Sequence, residues 1–556
     1  MKIYCKNTSE YLSVLGGEKV IDLIPRLHSE LPFKPICAYV NNKTEDLCYP
    51  IFSPKQVEFL SADSETGKRV YVRSLCMMLY KAVNEVMPGI TLKIDHSIAG
   101  GHYCRLMRQQ ENVVADKELV EKISERMQAL VETDISFKRH ERLTTDVVEM
   151  YRRQGLEAKV TLLETLHELY TTYYTLGELA DGFYGPLAPS TGYLNEFDIR
   201  PYKEGFLLFP YSSQKTDEIL RQTPPGEKMF KAFTDQLHFN FMIRVSNVGD
   251  LNKAVQEKRT AGLINVAEAM HEKLIGNIAS EIAERRKEGG AGIVLVAGPS
   301  SSGKTTSTKR LAIHLATNLI APKMISLDDY FVDRDKTPRD ETGDYDFESL
   351  YALDLERLNS DLRRLLDGEE VNIPTYSFEL GHRVEKPKPL KLEENDVLLM
   401  EGIHGLNPEL THAINTDNVF KVYVSALTTL KIDNHNWIST SDNRLLRRIV
   451  RDYKYRRTSA LDTIRRWPSV RRGEEKWIFP FSENADATFN SSLIFELGVM
   501  KEYALPLLRE VPRDNVAYAQ AYRLMKLLSY FEPIPADQIP STSLLREFLG
   551  GSSFNY

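Results

Sequence analysis

Residues 292–319 read GIVLVAGPSSSGKTTSTKRLAIHLATNL, and this stretch decides the fold. Residues 292–298 are a continuous apolar run, the pattern of a strand buried on both faces. The residues from Thr305 onward carry a helical pattern. Between them Gly298, Pro299, Ser300, Ser301, Ser302, Gly303, Lys304 and Thr305 fit G-x-x-x-x-G-K-[ST], with Thr306 next in the chain. The glycines let backbone N–H groups turn inward around phosphate oxygens. The following helix aims its positive end at the same anion. Lys304 supplies a mobile charge for the outer phosphates, and Thr305 offers a hydroxyl to Mg²⁺.

Outward from this loop, strands and helices alternate. KMISLDD reads as a second strand, LERLNSDLRRLLDG as a helix, NDVLLMEG as a strand and FKVYVSA as another. That alternation predicts a parallel α/β layer structure. Ligands of such sheets bind at the carboxyl ends of the strands. Two acids stand there. Asp328, in Ser326-Leu-Asp-Asp-Tyr-Phe331, is placed to accept a hydroxyl proton or hold metal-bound water. Glu401 ends the run Val397–Met400, where the acidic Mg²⁺ partner of a phosphate loop belongs. Arg444, Arg447, Arg448 and Arg451 recur at i, i+3, i+4 and i+7, with no acid before Asp452. Like charges at that spacing repel, so an uncompensated stripe predicts an anionic partner. A triphosphate is the first choice and RNA a weaker one, with Arg456 and Arg457 extending the patch.

Length and composition bound the rest. At roughly 150 residues per domain, 556 residues suggest three or four domains. Hydrophobic residues at 42% and charged residues at 27% are the globular balance and argue against a disordered, collagen-like or coiled-coil chain. A net charge of −7 argues against bulk nucleic-acid binding by charge alone. The cysteines, Cys5, Cys37, Cys48, Cys76 and Cys104, are odd in number and form no C-x-x-C pair, so neither a disulfide framework nor a zinc ribbon is expected. MKIYCKNTSEY has no apolar signal core, and no run approaches 18 apolar residues. The expectation is a cytoplasmic protein with no membrane partner.

Residues 1–62 read as a small mixed α+β module, with MKIYCK, ICAYVNNK, DLCYPI and VEFLSA as strands and turns and GGEKVIDLIPRLHSEL as a helix. Residues 63–225 mix both types, with helices predicted over SLCMMLYKAVNEVMP, KELVEKISERMQALVETD and KVTLLETLHELYTTYYTLG. Residues 226–287 form a helical connector, 288–530 the phosphate-loop domain and 531–556 a tail.

GPSSSGKTT, SLDDYF, Tyr345-Asp346-Phe347, IPTYSF, LMEGI and RLLRRIVRD occur in one order that resembles the uridine kinase/phosphoribulokinase family of P-loop kinases, over roughly residues 290–500. The resemblance implies transfer of the γ-phosphoryl group of ATP, with Mg²⁺, to a hydroxyl of a nucleoside such as uridine or cytidine, or of a sugar phosphate. It implies Asp328 as base, Lys304 at the phosphates, and Thr305 and Glu401 for the metal. Asp346 would hold ribose hydroxyls, Tyr376 and His382 would face the base, and Arg448 and Arg451 would form a phosphate-facing lid. The chain departs from uridine kinases on the acceptor side. His382 lies one residue late, Thr458 stands where an arginine is expected, Arg466 stands near an expected glutamine, and LKIDNHNWISTSDN is an insertion before the lid helix.

The front of the chain resembles threonyl-tRNA synthetase. AYVNNKTEDL carries a likeness to the TGS domain, a β-grasp module, within residues 1–62. IDHSIAGGHYC and GPLAPSTG carry a likeness to the editing-type domain over 63–225. The metal and editing positions of that domain fall on Ser74, Met78, Phe183 and Leu187, none of which can ligate or transfer a proton as the family's residues do, so neither editing nor zinc is expected there. His96 and His102 read as structural. The front half is expected to bind RNA or a small nucleotide, a homo-oligomer is allowed, and an ATP-dependent regulatory or ribosome-associated protein is the alternative to an enzyme.

Overall fold

The structure, a computed structural model, describes residues 1–109, 111–224, 226–340, 343–377, 379–384 and 386–556. The expected boundary at 225 and Phe378 of the IPTYSF stretch lie outside the described residues.

The carboxyl-terminal half is built on a five-stranded sheet. Its strands are β1 (Ile293–Ala297), β2 (Ala321–Ser326), β3 (Asp396–Gly402), β4 (Val419–Ser425) and β5 (Ala487–Asn490), in the order β2-β3-β1-β4-β5. Every pairing is parallel. β1 is central and buried along its whole length, which explains its unbroken apolar sequence. Helix α1 (Lys304–Thr317) follows β1; α2 (Thr440–Arg456) and α3 (Ala460–Trp477) follow β4. This is the α/β layer structure that the alternation predicts. The long helix Thr260–Lys287 lies against the sheet, and its Ile275, Ile278, Ala279 and Ile282 share one core with Val294, Val296 and Val422. Leu544, Leu545, Phe548 and Leu549 are buried in that same core.

Residues 1–61 form a separate five-stranded sheet, ordered Glu10–Ser13, Lys2–Cys5, Gln56–Ser61, Pro35–Val40, Lys43–Glu45. GGEKVIDLIPRLHSEL yields only a 3₁₀ helix, Val20–Arg26, because Pro25 removes a donor inside it. DLCYPI yields only the two-residue strand Pro50–Ile51, paired with Glu18–Lys19. Beyond it, helix Glu65–Val86 packs under the strands Thr91–Ile98, Gly101–Arg108, Gly205–Phe209 and Asp198–Tyr202. The single helix predicted over KVTLLETLHELYTTYYTLG is two elements. Helix Glu157–Leu166 stops at His167, which is left-handed (φ 54°), and the β-branched and aromatic residues of Tyr170–Leu176 form a strand.

The two halves meet at a polar seam. The insertion before α2 enters the front half, where Asn434 O accepts from Ile94 N (2.8 Å) and the Trp437 ring lies 4.2 Å from that of His102. Buried Lys159 bridges Asp181 and Asp433 at 2.8 Å each. Asp181 also meets His435 Nδ1 at 2.7 Å, and Asp95 is held by Arg105 (2.6 Å) and Lys431 (2.7 Å). Burial alone would drive Lys159 toward neutrality; the two carboxylates outweigh it and hold its pKa above the ordinary value. No helix among the described residues is long and apolar enough to cross a membrane.

Candidate functional site

The site lies where β1, β2 and β3 end together. Register places Val296 of β1 and Ser326 of β2 beside Glu401 of β3. At Gly298 the loop passes so near β4 that a Cβ would stand 2.1 Å from Val424 O. Gly303 is left-handed (φ 83°) and turns the chain into α1. Lys304, the first residue of α1, has its Nζ on Pro299 O at 3.1 Å. Burial lowers its pKa, against the pull of Glu401, Glu547 and Asp328. The Ser301 and Ser302 hydroxyls are buried without a protein partner among the described residues, as polar groups facing a phosphate would be.

Thr305 Oγ1 lies 3.0 Å from each oxygen of Glu401. Burial pushes the Glu401 carboxyl up to about 7, while Lys304 pulls the other way. A half-buried carboxylate beside a hydroxyl, with its ionised form disfavoured, fits a divalent cation, whose charge would restore ionisation. Asp328 sits in the 3₁₀ turn Leu327–Tyr330, where its N–H is capped by Ser326 Oγ at 3.2 Å. Surrounding protein raises its pKa and Lys304 lowers it, which moves this acid toward the range of a working base. Lys304, Thr305, Glu401 and Asp328 are thus brought together.

The arginine stripe divides. Arg444 and Arg447 are not uncompensated. Glu474 of α3 takes Arg444 at both oxygens (2.7 and 2.5 Å), and Glu496 takes Arg447 at 2.5 Å. Both arginines are at most 1% exposed and serve the core. Their acids lie 30 and 49 residues further along the chain, so helical spacing could not reveal them. Arg448 reaches the loop, while Arg451 is held by Asp452 and its charge is felt at Lys304. Arg448 Nη1 donates to Ser300 Oγ at 2.7 Å, and both lean on Asp452.

The acceptor-side residues are spread more widely. Asp346 Oδ1 accepts from Glu348 N at 3.1 Å. Tyr376 and His382 come to one hairpin, yet Tyr376 pairs with Arg383 and its neighbour Ser377 pairs with His382. The two therefore project to opposite faces. Tyr376 is buried against the Phe331 ring (5.5 Å), and His382 opens into a cleft of about 720 Å³ with Arg357, Arg383 and Lys386. They do not share one face as the resemblance implies. Two acids escaped sequence reasoning. Glu474 Oε1 accepts the N–H of Ser300 inside the loop at 3.1 Å. Glu348 is pushed up to about 7 by burial and by the nearby charge of Glu474. No spacing signal marks either acid.

In the front half the four positions on which the resemblance places metal and editing residues are filled. Met78, Phe183 and Leu187 are buried in one apolar core, and Ser74 Oγ is used by Val70 O (2.8 Å) and Ala188 N (2.7 Å). Burial lowers both His96 and His102 to about 4, so both are neutral near pH 7.

Residues 293–493 match the family model "Phosphoribulokinase / Uridine kinase family". Uridine-cytidine kinase B of Dictyostelium discoideum is 29% identical over 195 residues, which cover 35% of this chain and 72% of that protein. The threonine–tRNA ligase of Desulforamulus reducens is 30% identical over 184 residues, covering 33% of this chain and 28% of the ligase. That of Clostridium kluyveri is 30% identical over 193 residues, 34% of this chain and 30% of the ligase. The chain thus spans less than a third of the length of these ligases. The solved D-glycerate 3-kinase of Cryptococcus neoformans var. grubii aligns at 16% identity over 49% of this chain and 89% of that one, with a TM-score of 0.21. Residues 293–493 are a domain of the phosphoribulokinase/uridine kinase family, carried in one chain behind a region similar to threonine–tRNA ligases.

Proposed function

We propose that the chain is an ATP-dependent kinase that moves the γ-phosphoryl group to a hydroxyl of a nucleoside-type acceptor. The meeting of Lys304, the Thr305–Glu401 pair and Asp328 at one sheet edge supports this reading. Loop N–H groups and Lys304 bind the phosphate chain, and Thr305 and Glu401 would hold Mg²⁺, which when bound neutralises phosphate charge. Asp328 accepts the proton of the acceptor hydroxyl as its oxygen bonds to phosphorus and the bond to the ADP oxygen breaks. Arg448 and Arg451 add charge from the lid side, so positioning and electrostatics carry the catalysis.

The family model, which joins phosphoribulokinases to uridine kinases, favours a second acceptor class, sugar phosphates. Both classes are tested by incubating the protein with MgATP and a panel of nucleosides and sugar phosphates. The expected result is ADP formation that requires one of them. ATP hydrolysis that ignores every acceptor and rises with RNA would replace the enzyme by a nucleotide-driven switch.

A further inference from the structure

Residues 540–556 cross the phosphate loop as a strap. Leu544 covers Gly303 so closely that a Cβ there would come within 2.7 Å of its side chain. Phe548 lies 5.2 Å under the Arg447 guanidinium, and Lys454 of α2 donates to Leu549 O. The strap therefore touches both the loop and the lid helix. Its Glu547 carboxylate is aimed at the start of α1. Glu547 Oε2 accepts the Thr306 N–H at 3.2 Å and the Thr306 hydroxyl at 2.7 Å. Tyr556 OH meets the same hydroxyl at 2.9 Å. Glu547 is 9% exposed and Thr306 is fully buried.

The first-turn N–H groups of a helix have no acceptor within it and form an anion site. In a phosphate loop Lys304 and Thr305 serve the outer phosphates and the metal. Thr306, next along the helix, offers the following first-turn N–H and a hydroxyl, one step further from the residues assigned to the outer phosphates. A protein carboxylate already fills that donor. It also stands near enough to Lys304 and Glu401 to bias the charge of both. We propose that the strap is an autoinhibitory contact: Glu547 stands in for the inner phosphate of the nucleotide and must leave Thr306 when the nucleotide binds. This rests on the reading that the loop binds a nucleotide.

The test uses the full chain and its Glu547→Gln variant, which keeps shape and removes charge. ATP affinity is measured by calorimetry without acceptor. The variant is expected to bind ATP at least about fivefold more tightly, the lower end of ordinary coupling between sites. Unchanged or weaker binding by the folded variant overturns the proposal and makes Glu547 a structural cap. Hydrogen exchange on the unaltered protein gives a second readout, independent of any variant. ATP should lower amide protection across 544–556, and protection that stays or rises overturns the proposal. If neither protein binds ATP, the nucleotide reading itself fails and the strap proposal falls with it. If ATP binds both equally, only the strap proposal fails.

Discussion

Lys304 carries one half of the proposed chemistry and Asp328 the other, and they separate experimentally. Lys304→Ala removes the charge that meets the outer phosphates and should lower kcat by about 10²–10³, read as acceptor-dependent ADP. Asp328→Asn keeps the loop intact, so ATP should bind with unchanged affinity while transfer falls by about 10²–10⁴. Full turnover by the Asn variant would remove Asp328 as the base. Glu401 adds a pH signature. Its carboxyl titrates at about 7 in the free protein because burial disfavours its charge. Binding of a cation beside it requires the ionised form, so raising the pH favours binding. MgATP should therefore release a proton near pH 7, measured as a binding enthalpy that depends on buffer ionisation heat, and kcat/KM should rise through that pH. Glu401→Gln should reduce the proton release, leaving what Glu348, also pushed up to about 7, contributes.

At the scale of elements, α2 uses one face for the core and another for the site. Arg444 and Glu474 form a pair at most 1% exposed; without Arg444 the carboxylate keeps only Arg471 Nη1 (3.0 Å) and the Ser300 N–H (3.1 Å). Arg444→Ala should lower the unfolding free energy by about 3 kcal/mol in urea titration, the low end for a broken buried pair because Arg471 still holds Glu474. Arg448→Ala removes the hydrogen bond to Ser300 and the 3.2 Å contact with Asp452, which Arg451 still holds, and should cost about 1–2 kcal/mol of stability while depressing kcat. Equal stability losses for the two would contradict the division. Glu474 also receives the Ser300 N–H, so α3 holds the loop as well as the stripe.

At the scale of the molecule, the segment before α2 ties that helix to the front half. Lys159 neutralises Asp181 and Asp433, which belong to different halves. Lys159→Met leaves two buried carboxylates without their shared cation and should destabilise the chain by about 3–5 kcal/mol. Leu162 of the front half is buried in the same core as the five-stranded parallel sheet, so the seam has an apolar contact beside its ion pairs. A Lys159→Met variant that unfolds at the ordinary midpoint would show that the seam contributes no stability.

The local signals were legible because they are short in sequence. A buried parallel strand must be apolar throughout, and a loop that wraps phosphate must place glycine, lysine and threonine at fixed offsets, so β1, the loop, Asp328 and Glu401 are readable from Gly292 to Gly402. The strand–helix alternation set the layer class for the same reason. Contacts distant in sequence were not readable. Whether an arginine faces a ligand or a buried acid depends on Glu474 and Glu496, which only packing brings to α2. Whether Tyr376 and His382 share a face depends on strand register, and whether 540–556 hangs free or covers the loop depends on a hydrophobic core assembled from distant segments. Periodicity reports which way a side chain points along its own element; only the tertiary structure determines what it meets there.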